Sequence, residues 1–253
     1  MAAASSEIVL SAHGLRKAYG AIVVSDDLDF DLRRGEIHAV IGPNGAGKSS
    51  LVAQLAGELR PDAGTVTLLG EDVTRLGADA RARRGLARSF QVTTLIDEFT
   101  AEDNVVLGIL GRSAPRSSMT RALSAEAGIY REARELLERT GIAHLVSRRV
   151  DELAHGDRRV LELTVALAKR PRVVLLDEPM AGMGHDASRQ LAELLAGLRD
   201  ELSMVLIEHD MDAVERLADR VTVLVEGAVV ASGQFNDVRR DERVRSAYLG
   251  VRG

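Results

Sequence analysis

The stretch "GPNGAGKS", residues 42–49, constrains this chain more than any other. It fits the pattern G-x-x-x-x-G-K-[ST] and lies between the apolar run "HAVI" and the helix-like "SSLVAQL", the strand–loop–helix setting that the pattern requires. Gly42, Gly45 and Gly47 let backbone N–H groups curl around phosphate oxygens, and the following helix turns its positive end to the anion. Lys48 suits neutralisation of the β- and γ-phosphates, and Ser49 offers a hydroxyl to a magnesium ion. Pro43, Asn44, Ala46 and Ser50 complete the stretch expected against the nucleotide. Lys48 is one of only three lysines, with Lys17 and Lys169, in a chain whose positive charge is otherwise arginine. The loop predicts binding of a nucleoside triphosphate.

The rest of the chain supplies the frame such a loop needs. "EIVLSA", "DLDFDL" and "EIHAVIG" read as strands, and "GTVTLLGEDVT" as a hairpin. "SSLVAQLAGEL" has helical spacing and stops before Pro61. From about Val92 the character becomes helical, with amphipathic "AEDNVVLGIL" and "AEAGIYREARELLERTG" separated by the polar, arginine-rich "GRSAPRSSMTRALS". "DRRVLELTVALAKR" is apolar almost all round and reads as a buried helix. Strands and helices then alternate through "RVVLLDE", "ASRQLAELLAGLRDE", "SMVLIEHD" and "MDAVERLADR" to the hairpin "VTVLVEGAVVASG". Such alternation predicts an α/β fold with a parallel sheet under covering helices. The expected division is an α/β core over 1–91 and 167–253 with a helical insert over 92–166.

Composition removes several function classes. With 253 residues, 45% of them hydrophobic, the chain can bury a sizeable core. There is no cysteine, which excludes disulfides, thiol catalysis and cysteine-ligated zinc. A net charge of −5 carries no basic field for nucleic acid, so no nucleic-acid partner is expected. The start, "MAAASSEIVLSAHG", lacks a basic segment followed by a long apolar core and does not read as a secretory signal. No apolar run reaches the roughly 20 residues of a membrane helix. The expectation is a cytoplasmic protein.

Five further residues read as chemistry. "VVLLDEP" places Asp177 and Glu178 at the end of a buried strand, where open α/β sheets bind their ligands. Asp177 there suits the magnesium shell, and Glu178 suits polarising a water for attack on the γ-phosphate. In isolation the same dipeptide also reads as a solvated strand end. His209 closes "SMVLIEHD" on the same side and suits the γ-phosphate, although a lone histidine is often structural. Gln91, after "ARSF", is placed to reach both magnesium and the attacking water. Tyr19 offers a ring for adenine to stack on, and a buried tyrosine would look the same.

Taken in order, Tyr19, "GPNGAGKSS", Gln91, "LAHGDRR", "VVLLDEP" and "IEHD" resemble the ATP-binding subunits of ABC transporters, over essentially the whole chain. The resemblance implies a P-loop NTPase (RecA-like) core with an antiparallel β subdomain and an inserted helical subdomain. It also implies ATP and Mg2+ as cofactors, with Ser49, Gln91 and Asp177 at the metal. The family's signature is LSGGQ, and its counterpart here runs through Ala154, His155, Gly156 and Asp157. In the family two subunits pack head to tail, and the signature of one closes over the ATP of the other. Ala154 replaces the serine and removes a hydroxyl donor; Asp157 replaces the glutamine and adds negative charge near ATP.

A narrower resemblance follows from "ARSFQVTTLIDEFTAEDNVVLG", "DEPMAGMGHD", "LIEHDMDAV" and "AYLG", which are similar to the ATPases of branched-chain amino acid importers, with relatives serving urea or short amides. It implies a second ATPase subunit, identical or a paralogue, and transmembrane permease subunits gripped through Val92 to Phe99. It further implies an indirect extracytoplasmic solute-binding protein and a place on the inner face of the membrane. "AGMGHD", with Asp186, is implied to exchange contacts with the partner ATPase. The end of the chain soon after the last hairpin implies no regulatory domain. A DNA- or ribosome-acting relative would predict coiled-coil insertions, twin cassettes or a basic surface; a kinase or GTPase would leave "LAHGDRR" unexplained.

Overall fold

The computed structural model describes residues 7–89, 95–113 and 122–249. The chain opens with three strands, β1 (Ile8–Tyr19), β2 (Ile22–Arg33) and β3 (Ile37–Ile41), then helix α1 (Lys48–Ala56) and the short hairpin of β4 (Ala63–Leu68) and β5 (Glu71–Asp72). Helix α2 (Ala78–Ala82) and strand β6 (Leu86–Ser89) lead to the helices α3 (Ala101–Ser113), α4 (Ala122–Arg139) and α5 (His155–Ala168). Alternation resumes with β7 (Val173–Asp177), α6 (His185–Gly197), β8 (Ser203–Ile207), α7 (Met211–Leu217), β9 (Arg220–Val225) and β10 (Ala228–Gly233), and the chain closes with α8 (Phe235–Arg240) and α9 (Glu242–Leu249).

Two sheets result. One is antiparallel, in the order β2-β1-β4-β5. The other runs β10-β9-β3-β8-β7-β6 and is parallel except for β10. The alternation of side chains along β7 shows why its sequence is a continuous apolar run. Val173 and Leu175 join the core shared with α1 and the antiparallel sheet, while Val174 and Leu176 join the core under α5, α6 and α7. A strand covered on both faces has no polar side to show. This is the α/β architecture with an antiparallel subdomain and added helices that the motif order implied.

Some boundaries differ from expectation. β1 and β2 are each 12 residues long and absorb "HGLRKAY" and "IVVS", because register shifts between Ala12 and Leu15 and around Lys17 break the alternation that marks a strand. β6 escaped notice because it has only four residues. Only the second half of α5, Leu161 to Ala168, is buried; His155 is exposed and Gly156 to Val160 are half-buried. Among the described residues no helix is long and apolar enough to cross a membrane.

α1 ends early, at Gly57, whose φ of 80° is left-handed. A fully buried arginine, Arg81, explains the stop. Its Nη1 donates to Gln54 O and Leu55 O, each at 2.7 Å, and its Nε to Leu76 O at 3.0 Å. The cation thus ties off the last carbonyls of the helix at the negative end of its dipole. A Cβ at position 57 would stand 2.7 Å from Arg81 Nε. Arg81→Met is expected to destabilise the fold by about 3 kcal/mol or more, since it strands buried carbonyls. A urea midpoint unchanged from the parent would contradict this cap.

Candidate active site

The phosphate loop is built by what packs behind it. Gly42, Gly45 and Gly47 have φ of 155°, 81° and 100°. A Cβ on Gly42 would lie 2.1 Å from Leu224 O in β9, and one on Gly47 would lie 2.4 Å from Val24 O in β2. Both sheets therefore press on the loop, and only glycine lets the backbone pass between them. Ala46 is buried, and its carbonyl accepts from Gly227 N at 2.9 Å, so the β9–β10 turn fixes the loop from a third side. The first turn of α1 has no side-chain cap and no acidic residue. α7, by contrast, is capped by the Asp210 carboxylate. An uncapped helix start behind a glycine cradle suits an anion.

Lys48 is buried, and its ammonium donates to Gly42 O at 2.8 Å and Pro43 O at 3.0 Å. Burial lowers its pKa, opposed by the charges of Glu178 and Asp177. The parallel pairing of β3 with β8 and of β8 with β7 brings the loop after β3 and the carboxylates at the end of β7 to the same side of the sheet. Ser49 is exposed at the mouth, as are Asn44 and Gly45; Pro43 and Ser50 are half-buried.

Asp177 and Glu178 sit at the end of β7 with different surroundings. Asp177 is buried, and its Oδ2 accepts from Arg88 Nη2 at 2.9 Å; Arg88 also pairs with Glu58. Glu178 is half-buried, has a left-handed φ of 51°, and accepts through Oε1 from His209 Nε2 at 2.8 Å. The strand ends of β7 and β8 thus bring the carboxylate and the imidazole together. A carboxylate that accepts from the histidine can take a proton from a bound water, and the second ring nitrogen remains for other contacts.

The donors fit a magnesium ion. An exposed hydroxyl at Ser49 and a carboxylate at Asp177 are a sparse hard-oxygen set, and among the described residues no cluster of three or more His, Asp or Glu is suited to hold a metal. The remaining ligands would come from phosphate oxygens and water, the usual arrangement for this ion at nucleotide sites.

Tyr19 stands at the end of β1 with 54% of its surface exposed, and the Lys17 ammonium lies 5.4 Å from its ring centroid. It is therefore not a core tyrosine, and its ring is accessible for stacking. Gln91 falls outside the described residues, as do Val92 to Thr94. Of the remainder of that segment, Leu95 is buried in the helical core, whereas Ile96 and Phe99 are 37% and 41% exposed. The run "VTTLI" is thus divided at Leu95, whose side chain packs inward.

The "LAHGDRR" turn forms the start of α5. Ala154 and His155 are exposed, and Gly156 and Asp157 half-buried. This end of α5 packs on the loop after β7 of the same chain. His155 Nε2 donates to Ala181 O at 3.2 Å, which requires a proton on that nitrogen, and a Cβ on Gly156 would lie 3.3 Å from Ala187 Cβ. Asp186, in the first turn of α6, is exposed. Within one chain Ala154, His155, Gly156 and Asp157 make no side-chain hydrogen bond or ion pair with the phosphate loop.

Two residues and one departure from the family pattern were missed from the sequence. Arg88 and Glu208 are charged residues inside or next to strands, the signal that would have marked them. His155 occupies the first glycine position of the LSGGQ pattern, a third departure beside Ala154 and Asp157.

Comparison with known proteins places these features in context. The family model for ABC transporters matches residues 25–181. The high-affinity branched-chain amino acid transport ATP-binding protein LivG of Salmonella typhimurium is 33% identical, over 97% of this chain and 99% of its own. LivG of Escherichia coli K12 is 32% identical over the same shares. The ribose import ATP-binding protein RbsA 1 of Rubrobacter xylanophilus is 37% identical over 94% of this chain, but only 46% of its own length is matched. Among solved structures, the ADP conformation of MJ1267, an ATP-binding cassette of an ABC transporter, superposes with a TM-score of 0.84 at 26% identity, covering 97% of this chain and all of the other.

Proposed function

Because this chain belongs to the ABC transporter family and is an ABC-type ATPase, we propose that it energises an importer of branched-chain amino acids or related small polar solutes. The observation that carries the catalytic part is the 2.8 Å contact of Glu178 with His209 beside the Lys48 loop. In this reading ATP lies with its phosphates in the loop of residues 42–50 and its adenine on Tyr19. Ser49 and Asp177 would hold magnesium, which would offset charge on the phosphates. Glu178 takes the proton of the attacking water, and His209 orients Glu178 and the γ-phosphate. Gln91, outside the described residues, would be a further ligand of the metal.

The partners follow from the same reading. A second ATPase subunit, a copy or a paralogue, contributes its Ala154–Asp157 turn to each ATP, with the Asp186 loop alongside. Permease subunits hold the protein at the inner face of the membrane, and an extracytoplasmic binding protein delivers the solute. We place the helical insert at 92–166, with α5 shared: Leu161, Val165 and Ala168 pack with α3 and α4, and Leu163, Ala166 and Leu167 with the main core. The near-complete coverage of LivG supports the amino-acid class; the ribose match favours sugar import as the second reading.

Deleting the gene and following uptake of labelled leucine, urea and ribose tests the solute. Loss of ribose or urea uptake alone would overturn the amino-acid assignment. The exposed Ile96 and Phe99, with Leu107 at 41% exposure, support the permease contact. Phe99→Glu is expected to abolish solute uptake while basal ATP hydrolysis by the purified protein stays within about twofold, since a charge opposes burial at an apolar contact. Unimpaired uptake would remove this segment from the permease interface.

A further inference from the structure

We propose that Glu208 is a positioning residue for hydrolysis: its buried carboxylate sets Glu178 opposite His209 by tying the chain after Glu178 to the end of β8. This rests on the reading of Glu178 as the base.

The parallel ladder between β7 and β8 ends at Asp177 and Ile207, and its last rung is Glu178 N to Ile207 O at 2.9 Å. From there the ladder holds nothing further. Glu178 has a φ of 51°, a conformation that side chains other than glycine adopt only when their surroundings enforce it. The next residue, Pro179, has no N–H to give. Met180 is therefore the first donor beyond the strained position. Its N–H goes to Glu208 Oε1 at 2.9 Å. The other oxygen, Oε2, accepts from His209 N at 3.1 Å.

One side chain thus grips both sides of the catalytic pair. Glu208 is only 4% exposed, and burial pushes its pKa up while the backbone N–H groups oppose that rise. An apolar side chain would fill the same space without the cost of burying a carboxylate. What a carboxylate adds is two acceptor oxygens, one for each strand end. Glutamine keeps the size but turns an NH2 on one of the two amides, so one tie is lost.

Glu208→Gln is expected to lower kcat about 10- to 100-fold, the range of a misplaced catalytic group, while KM for ATP, ATP affinity and melting temperature hold. In a Glu178→Gln background it should add no further loss. A Glu208→Gln protein with parental kcat overturns the proposal. Equal losses of kcat, ATP affinity and melting temperature overturn it too, by assigning a general structural role. Full activity of Glu178→Gln alone would instead sink the base assignment on which the proposal rests. Amide exchange of Met180 in the unsubstituted protein decides independently of any variant: protection like that of the β8 amides is expected, and exchange at the rate of the exposed Gly184 overturns it.

Discussion

Glu178→Gln is expected to lower ATP turnover by about 10²–10⁴-fold, the loss typical of removing a general base, with ATP still bound. Glutamine preserves the size of the side chain and an acceptor oxygen for His209 Nε2, so the 2.8 Å contact survives and the proton acceptor alone disappears. Steady-state hydrolysis and nucleotide binding measured on one preparation check both halves. Lys48→Ala should show the opposite pattern. Its buried ammonium holds the loop through Gly42 O and Pro43 O and is the cation proposed to meet the phosphates. Its loss should weaken ATP binding about 10- to 100-fold, the range for a hydrogen bond to a charged group. Equal ATP affinity in the two variants would contradict the phosphate-loop assignment, and full turnover by Glu178→Gln would contradict the base.

Gly156→Asp should leave ATP binding by the monomer intact and abolish the ATP-bound dimer. The added Cβ would meet Met183 Cε at 3.5 Å, an ordinary contact, and Ala187 Cβ at 3.3 Å, so α5 and α6 must part slightly. A melting temperature close to that of the parent checks that the fold accommodates this shift. Within the chain Gly156 and its neighbours Ala154, His155 and Asp157 make no side-chain hydrogen bond or ion pair with the phosphate loop, so nucleotide binding has no reason to fall. Across a dimer interface the new carboxylate would face the partner's γ-phosphate with little water between them, where like charges repel strongly. Light scattering in the Glu178→Gln background, with and without ATP, reads the result. A dimer that persists in Gly156→Asp would remove this turn from the nucleotide interface.

The sequence by itself determined the elements whose chemistry is local. "GPNGAGKS" specified the cradle because glycine spacing, the lysine and the flanking apolar strand are all contiguous, and each glycine is required by backbone conformation. The apolar runs ending in Asp177 and His209 specified buried strands that deliver polar residues at one edge of the sheet, since a strand covered on both faces is apolar throughout. Tertiary structure decided what depends on residues far apart in the chain. Only the adjacency of β7 and β8 brings Glu178 to His209 and lets Glu208 reach Met180. Only the pairing of β6 with β7 puts Arg88 against Asp177. The bulges that conceal the length of β1 and β2 arise from pairing, not from periodicity. Arg81, a surface residue by composition, is buried because the end of α1 offers its guanidinium the carbonyls of Gln54 and Leu55, from a stretch 26 and 27 residues away in the chain.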